Sequence, residues 1–94
     1  MPTTETAAGL QVLLRAIKEH GFESIYRQAL VRTGLSPREL LGRGEETALA
    51  RRQMWAEMYD SRKDVRLREI AACTGYSESV IQVGIRVHRE GGGR

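Results

Sequence analysis

Apolar residues at helical spacing, interrupted by single glycines, constrain this sequence more than any other feature. In the first such segment, large aliphatic residues recur at intervals of three and four positions: Leu10, Leu13, Leu14 and Ile17. This spacing lines one face of an α-helix, and Arg15 and Lys18 fall on the opposite face. Because similar spacing continues along the chain, we predict an all-α fold, a compact bundle of five to six helices in a single domain over residues 1–94.

Glycines and capping residues mark where the individual helices begin and end. Before the last third of the chain we predict helices over residues 5–20 (an amphipathic N-terminal helix), 23–33, from Ser36 to Gly42, and 46–60. Gly21 and Gly34 close the first two, since glycine readily adopts the left-handed conformation found after a helix. Ser36 and Glu39 have the spacing of a capping box. Residues 91–94 are expected to form a flexible tail.

Residues 66–89, the last third of the chain, have the spacing of a helix-turn-helix. Two helices that cross closely require a small residue in the first helix, and Ala71 is small. The turn requires a residue that tolerates a positive φ, which Gly75 supplies four positions later. A branched aliphatic residue, Ile81, then enters the core. We therefore predict a C-terminal helix-turn-helix over residues 66–89, with Ser77 capping the final helix.

The final helix has two distinct faces when its residues are placed at about 100° intervals. Its apolar residues cover an arc of roughly 200° centred on Gly84. The remaining face carries side chains that can contact bases in DNA: Ser79, Gln82 and Arg86. Glutamine pairs with adenine, and arginine pairs with guanine or phosphate. The alternative interpretation is a polar face that is simply exposed to solvent on an ordinary helix.

Composition limits the remaining function classes. Thirteen of the fifteen basic residues are arginine and the net charge is +3, which permits nucleic-acid binding without requiring it. Aromatic residues make up only 5% of the chain, which argues against a surface that stacks bases on rings. His20, His88 and Cys73 lack metal-ligand spacing, and no Gly-rich phosphate loop is present. We therefore expect no enzymatic activity, no metal and no cofactor.

The sequence also bears on cellular location. A single cysteine, Cys73, is typical of a reducing compartment. No apolar run reaches the roughly 18 residues that a membrane span needs. The first residues lack the basic and apolar regions of a signal peptide. We therefore expect a cytoplasmic protein without membrane contact.

Three motifs follow one another in the middle of the chain, namely Leu35-Ser36-Pro37-Arg38-Glu39-Leu40-Leu41, Ala50-Arg51-Arg52-Gln53-Met54 and Leu67-Arg68-Glu69-Ile70-Ala71. In this order they resemble the short leucine-bearing helix, the Arg-Gln segment of the long helix and the Leu-Pro-Glu-Ile-Gly segment of the DNA-binding C-terminal domain of the bacterial replication initiator DnaA. The resemblance covers residues 23–90. It implies a helix-turn-helix fold of the Trp repressor-like superfamily.

The resemblance further implies that Arg43, in the loop before the long helix, enters the minor groove of DNA. Two segments depart from the family. The loop continues Gly44-Glu45-Glu46 where the family is basic, and the recognition helix begins Ser77-Glu78-Ser79-Val80 where the family has Asp-His-Thr-Thr. The side chains with which the family reads its origin box are therefore missing from this chain.

Together these features predict a small bacterial protein that binds double-stranded DNA in transcription regulation or as an accessory factor in DNA replication. The expected nucleic-acid-binding residues are Arg43, Arg51, Arg52, Arg66, Arg68, Ser77, Ser79, Gln82 and Arg86. The four arginines at 51, 52, 66 and 68 would hold phosphates, which fix register without reading sequence.

An alternative function is a non-enzymatic protein-protein interaction module, an adaptor or inhibitor, built on the same helical fold. Acidic residues near the expected DNA face and surplus apolar surface on the final helix suggest it. A protein partner or a second copy would then bind through one of two apolar surfaces: Leu10, Leu13, Leu14 and Ile17, or Val83 and Val87.

Overall fold

Six α-helices account for most of the chain in the computed structural model, which describes the backbone of residues 2–91 and the side chains of residues 9–91. In chain order they are α1 Pro2–Glu19, α2 Glu23–Thr33, α3 Pro37–Leu40, α4 Ala48–Asp60, α5 Leu67–Thr74 and α6 Glu78–Arg89. A single 3₁₀ turn, Glu45–Thr47, precedes α4. No strand occurs within residues 2–91, and the predicted all-α fold is confirmed. Residues 92–94 of the predicted tail lie outside the described residues.

The predicted capping residues end and start helices as their chemistry requires. Ser36 Oγ accepts a hydrogen bond from the Glu39 backbone N–H at 3.2 Å, and Glu39 Oε1 accepts one from the Ser36 N–H at 2.9 Å. This is the reciprocal capping box that the sequence predicts. Gly34, at φ 71°, donates its N–H to the Leu30 carbonyl oxygen and ends α2. The predicted start of α4 was two residues early, since residues 45–47 form the 3₁₀ turn instead.

The core lies where α1, α2, α4, α5 and α6 meet, with α3 closing one end through Leu40 and Leu41. Its largest fully buried side chains are Phe22, Ile17, Leu40, Met54, Met58, Ile70, Ile81 and Cys73. Burial raises the pKa of the Cys73 thiol to about 12, so this cysteine packs as a small apolar residue.

The apolar face of α1 packs onto this core. Ile17 is only 1% exposed, and Leu10, Leu13 and Leu14 are partly covered by the same cluster. Ile17 is therefore unavailable to a partner, which corrects its place in the predicted partner surface. A residue buried in its own domain cannot also supply an interface.

The carboxylate of Glu69 ties the end of α1 to the start of α5. It accepts hydrogen bonds from the Arg66 backbone N–H at 2.9 Å, from His20 Nδ1 at 3.3 Å and from Arg62 Nη2 at 3.4 Å. The Arg66 N–H, followed by the His20 and Arg62 side chains, holds the pKa of Glu69 below its usual value. These bonds fix the first turn of α5 relative to the rest of the bundle.

Gly84 lets α6 approach α4 closely. A Cβ at this position would lie 2.6 Å from Cζ3 and 2.8 Å from Cε3 of Trp55. Ile81 and Ile85, on the same side of α6, are 0% and 5% exposed. The contact of Gly84 with the Trp55 ring and the burial of Ile81 and Ile85 therefore determine which side of α6 faces the bundle.

Candidate nucleic-acid interface

Three residues, Gly75 to Ser77, connect α5 to α6. Gly75 adopts φ 76° and donates its N–H to the Ala71 carbonyl oxygen at 2.9 Å, which closes α5. Ser77 Oγ accepts a hydrogen bond from the Val80 N–H at 3.2 Å and caps α6. The predicted positive φ at Gly75, the cap at Ser77 and the burial of Ile81 are all present. This cap at the N-terminus of α6 uses Ser77 Oγ only as an acceptor, so the hydroxyl hydrogen is still free to donate in the predicted contact with DNA.

The outward side of α6, here called the outer face, consists of Ser79, Gln82, Val83 and Arg86. All four are exposed, so no other described element covers this side of the helix. They are spaced three and four residues apart and therefore share one stripe along the helix. The predicted base-contacting residues Ser79, Gln82 and Arg86 thus lie together on a solvent-facing surface.

Arg51 lies inside the protein, and the prediction that it contacts phosphate is wrong. Its side chain is 3% exposed. Nε donates to the Gly42 carbonyl at 2.9 Å, Nη2 donates to the Gly44 carbonyl at 2.7 Å, and both Nη atoms lie 2.9 Å from Thr47 Oγ1. Burial lowers the pKa of Arg51 from its ordinary value, although an arginine stays charged in proteins. Arg51 therefore fixes the loop before α4 rather than reaching a ligand.

Tyr76 joins that loop to the turn between α5 and α6. Its hydroxyl donates to the Gly42 carbonyl oxygen, and its ring lies edge-on to Trp55 with centroids 5.0 Å apart. The Arg43 guanidinium carbon lies 4.9 Å from the Tyr76 ring centroid, and Arg43 Nη2 donates to the Gly75 carbonyl at 3.4 Å. Arg43 stays exposed in this position. The loop arginine is thus positioned beside the turn that leads into α6.

A groove of about 450 Å³ runs between α6, the start of α4 and the residue 43–45 loop, and is here called the α6 groove. It brings together the predicted site residues Arg43, Arg52 and Ser79 with the apolar side chains of Val80, Val83 and Val87. Trp55 and Tyr76 also line it. Arg52 is half-buried, because its stem lies against α6 near Gly84.

The other predicted residues lie outside this groove. Gln82 and Arg86 line a depression of about 340 Å³ on the opposite flank of α6, together with Arg89. Arg89 forms an ion pair with Asp60. Arg66 and Arg68 are exposed at the start of α5. Apart from Arg51 and Ser77, the predicted residues therefore form three groups. One lies in the α6 groove, one lies on the opposite flank of α6, and one lies at the start of α5.

Acidic side chains share this surface. Glu45 lines the α6 groove, and Glu46 and Glu78 are exposed. Their carboxylates repel phosphate nearby and limit where a polyanion can lie. Within the described part of the chain, no group of three or more His, Cys, Asp or Glu side chains is placed to hold a metal ion. None of the described helices is both long and apolar enough for a membrane span.

The roles of Tyr76 and Trp55 in building this surface do not follow from the sequence patterns. A lone tryptophan is typical of a core residue, and nothing in the sequence indicates that the position of Trp55 depends on the absence of a side chain at Gly84. Tyr76 stands between Gly75 and Ser77, and an aromatic residue within a tight turn was a signal that this turn packs against something. The contact itself depends on the Gly42 carbonyl, a backbone group that no residue pattern reveals.

Comparison of the chain with protein-family models, with curated proteins and with solved structures gives no match. The resemblance of residues 23–90 to the initiator's DNA-binding domain therefore stays a prediction.

Proposed function

We propose that this protein binds double-stranded DNA with α6 in the major groove. One observation carries the proposal: α6 is anchored to α4 and α5 by its inner side, while its outer face is a stripe of exposed side chains, of which Ser79, Gln82 and Arg86 are polar or basic. α6 has 12 residues and is about 18 Å long. An α-helix with its side chains is about 10–12 Å across, which fits the major groove, about 12 Å wide. Gln82 would pair with adenine, and Arg86 with guanine or phosphate.

Arginines around α6 would hold the phosphate backbone. Arg43 lies beside the turn before α6, Arg52 lies across the α6 groove, and Arg66 and Arg68 lie at the start of α5. Phosphate contacts of this kind position a protein on the duplex and leave sequence choice to the helix. The resulting function is that of a small cytoplasmic regulator of transcription or accessory factor of replication, without enzymatic activity.

Titration of fluorescent random-sequence duplexes at a series of salt concentrations tests the proposal. The logarithm of the association constant should fall linearly with the logarithm of salt concentration, with a slope of about −0.9 per phosphate neutralised. Arg43→Ala should weaken all duplexes and make this slope shallower by about 1 if Arg43 holds a phosphate. If Arg43 enters the minor groove instead, the loss should be greatest on A·T-rich duplexes, whose minor groove is narrow.

A protein-interaction module is the second candidate, and the exposure of Val80 and Val83 favours it. Each of these side chains is 47% exposed on the same helix, and Glu45 and Glu78 lie close by. Exposed apolar side chains rimmed by charges are common at protein interfaces. If this second function is correct, the dissociation constant for duplex DNA should be above about 10⁻⁴ M near physiological salt. Val83→Asp should then abolish binding of the partner protein, while Arg43→Ala and Arg86→Ala should leave that binding intact.

A further inference from the structure

We infer that Val83, assisted by Val80 one turn before it, contacts the C5-methyl groups of thymine, so that the protein distinguishes thymine from other bases by its methyl group. This inference rests on the proposed function, since it names the base feature that α6 would read. It also explains why Val80 and Val83 are exposed, since neither side chain can hold a phosphate or form a hydrogen bond with a base.

The exposure of these valines follows from the packing of α6. Its apolar residues extend over a wider arc than α4 and α5 cover. Ile81, Gly84 and Ile85 fill the contact with the bundle, whereas Val80 and Val83 are each 47% exposed. Val83 also belongs to the outer face, where Gln82 and Arg86 are its exposed neighbours. An apolar side chain thus stands among the polar residues that would face base edges.

The charged residues around Val80 and Val83 are better suited to contact with a DNA strand than to contact with an apolar partner. Arg43 and Arg52 line the same groove as Val80 and Val83, so two arginines lie beside these exposed apolar side chains. A DNA strand likewise offers anionic phosphates beside its base edges. Glu45, on the same groove, excludes phosphate from its own part of the rim. The combination therefore favours one strand crossing the groove past the two arginines.

Thymine is the one standard DNA base whose major-groove edge carries a methyl group. Removing this methyl, by replacing thymine with deoxyuridine, leaves every hydrogen-bonding group of the base pair in place. Burial of a group of this size is worth about 0.8 kcal/mol, or roughly a fourfold change in affinity. A contact between Val83 and thymine should therefore appear as a methyl-dependent difference of this size.

The experiment uses the full chain and a duplex selected by it from a random pool, synthesised with thymine or with deoxyuridine at one position at a time. We expect the wild type to lose about fourfold in affinity at one or two positions. Val83→Ala should bind the thymine duplex more weakly and no longer distinguish it from the deoxyuridine duplex. Val31→Ala is the matched control, because Val31 is 85% exposed on α2, away from α6. It should keep the full distinction.

Three outcomes are separable. A thymine preference that disappears in Val83→Ala and persists in Val31→Ala supports the inference. Equal binding of thymine and deoxyuridine duplexes by the wild type overturns it and leaves DNA binding intact, as does a preference that Val83→Ala retains. Absence of salt-dependent binding to any duplex overturns the proposed function together with the inference. Circular dichroism of each variant establishes that a loss of affinity is not a loss of fold.

Discussion

The two sides of α6 differ in what limits their residues. On the inner side, Gly84 seats against the Trp55 ring, and Ile81 and Ile85 are almost fully buried. On the outer face, Ser79, Gln82, Val83 and Arg86 are exposed, and none of them belongs to the buried core. One helix thus combines a side whose residues are dictated by fold with a side whose residues are free to serve recognition. Stability and binding should accordingly respond to different substitutions.

The largest expected effect comes from truncating a side chain on the inner side. Ile81→Ala should lower the free energy of unfolding by about 3 kcal/mol, because a fully buried isoleucine leaves a cavity when truncated. Val83→Ala, two residues away on the same helix, should change it by less than about 0.5 kcal/mol. Urea denaturation followed by circular dichroism measures both. Similar losses for the two variants would contradict the two-sided description of α6.

The next largest effect should come from adding a side chain at the contact between α4 and α6. Gly84→Ala should lower the free energy of unfolding by about 2 kcal/mol, because the new Cβ overlaps the Trp55 ring. Since Trp55 is the single tryptophan, its fluorescence should also shift in the folded state. Gly9→Ala is the control, as a Cβ at Gly9 in α1 meets nothing within 4 Å. It should be neutral or stabilising by up to about 1 kcal/mol.

A somewhat smaller effect is expected at the turn that leads into α6. Gly75→Val should lower the free energy of unfolding by about 1 to 2 kcal/mol, because a β-branched residue is strained at φ 76°. A Cβ there meets only a Leu13 methyl carbon at 3.9 Å, so the loss would come from backbone strain rather than from crowding. Thermal denaturation measures it. A variant that melts like the wild type would show that the turn does not depend on glycine.

The smallest effect on stability is expected on the outer face. Arg86→Ala removes an exposed side chain and should change the free energy of unfolding by less than about 0.5 kcal/mol. Urea denaturation of this variant completes the comparison with Ile81→Ala. A loss as large as that of Ile81→Ala would mean that the outer face also contributes to the fold.

Helix positions followed from the sequence because their determinants are local. The capping box at Ser36 and Glu39 and the glycine at 75 act within one turn of chain, and both are in the structure as predicted. The direction of side chains on α6 was harder to predict. Its apolar residues cover an arc of roughly 200°, which is wider than a small bundle needs, and the sequence does not decide which of them pack inward. The contact with the bundle buries Ile81 and Ile85 and leaves Val83 47% exposed.

The candidate site was less predictable because its framework uses backbone groups. Arg51 and Arg52 are adjacent and chemically identical, yet the first is buried on the Gly42 and Gly44 carbonyls and the second lines the α6 groove. Every residue offers a carbonyl, so no sequence pattern identifies which carbonyls will accept from an arginine. The conformation of the loop decides this, and that conformation is held by tertiary contacts with Arg51 of α4 and with Tyr76 in the turn before α6.

Binding of a selected duplex by two charge-matched variants tests the central claim, that the outer face of α6 binds DNA, most directly. Arg86→Ala and Arg27→Ala remove the same charge, but Arg27 lies on α2, where it pairs with Glu23 and its side chain is 73% exposed. At physiological salt, Arg86→Ala should weaken binding by about 1–3 kcal/mol and relax sequence preference, while Arg27→Ala should stay within about twofold of the wild type. Equal affinities for all three proteins, or equal losses in both variants, would contradict the claim.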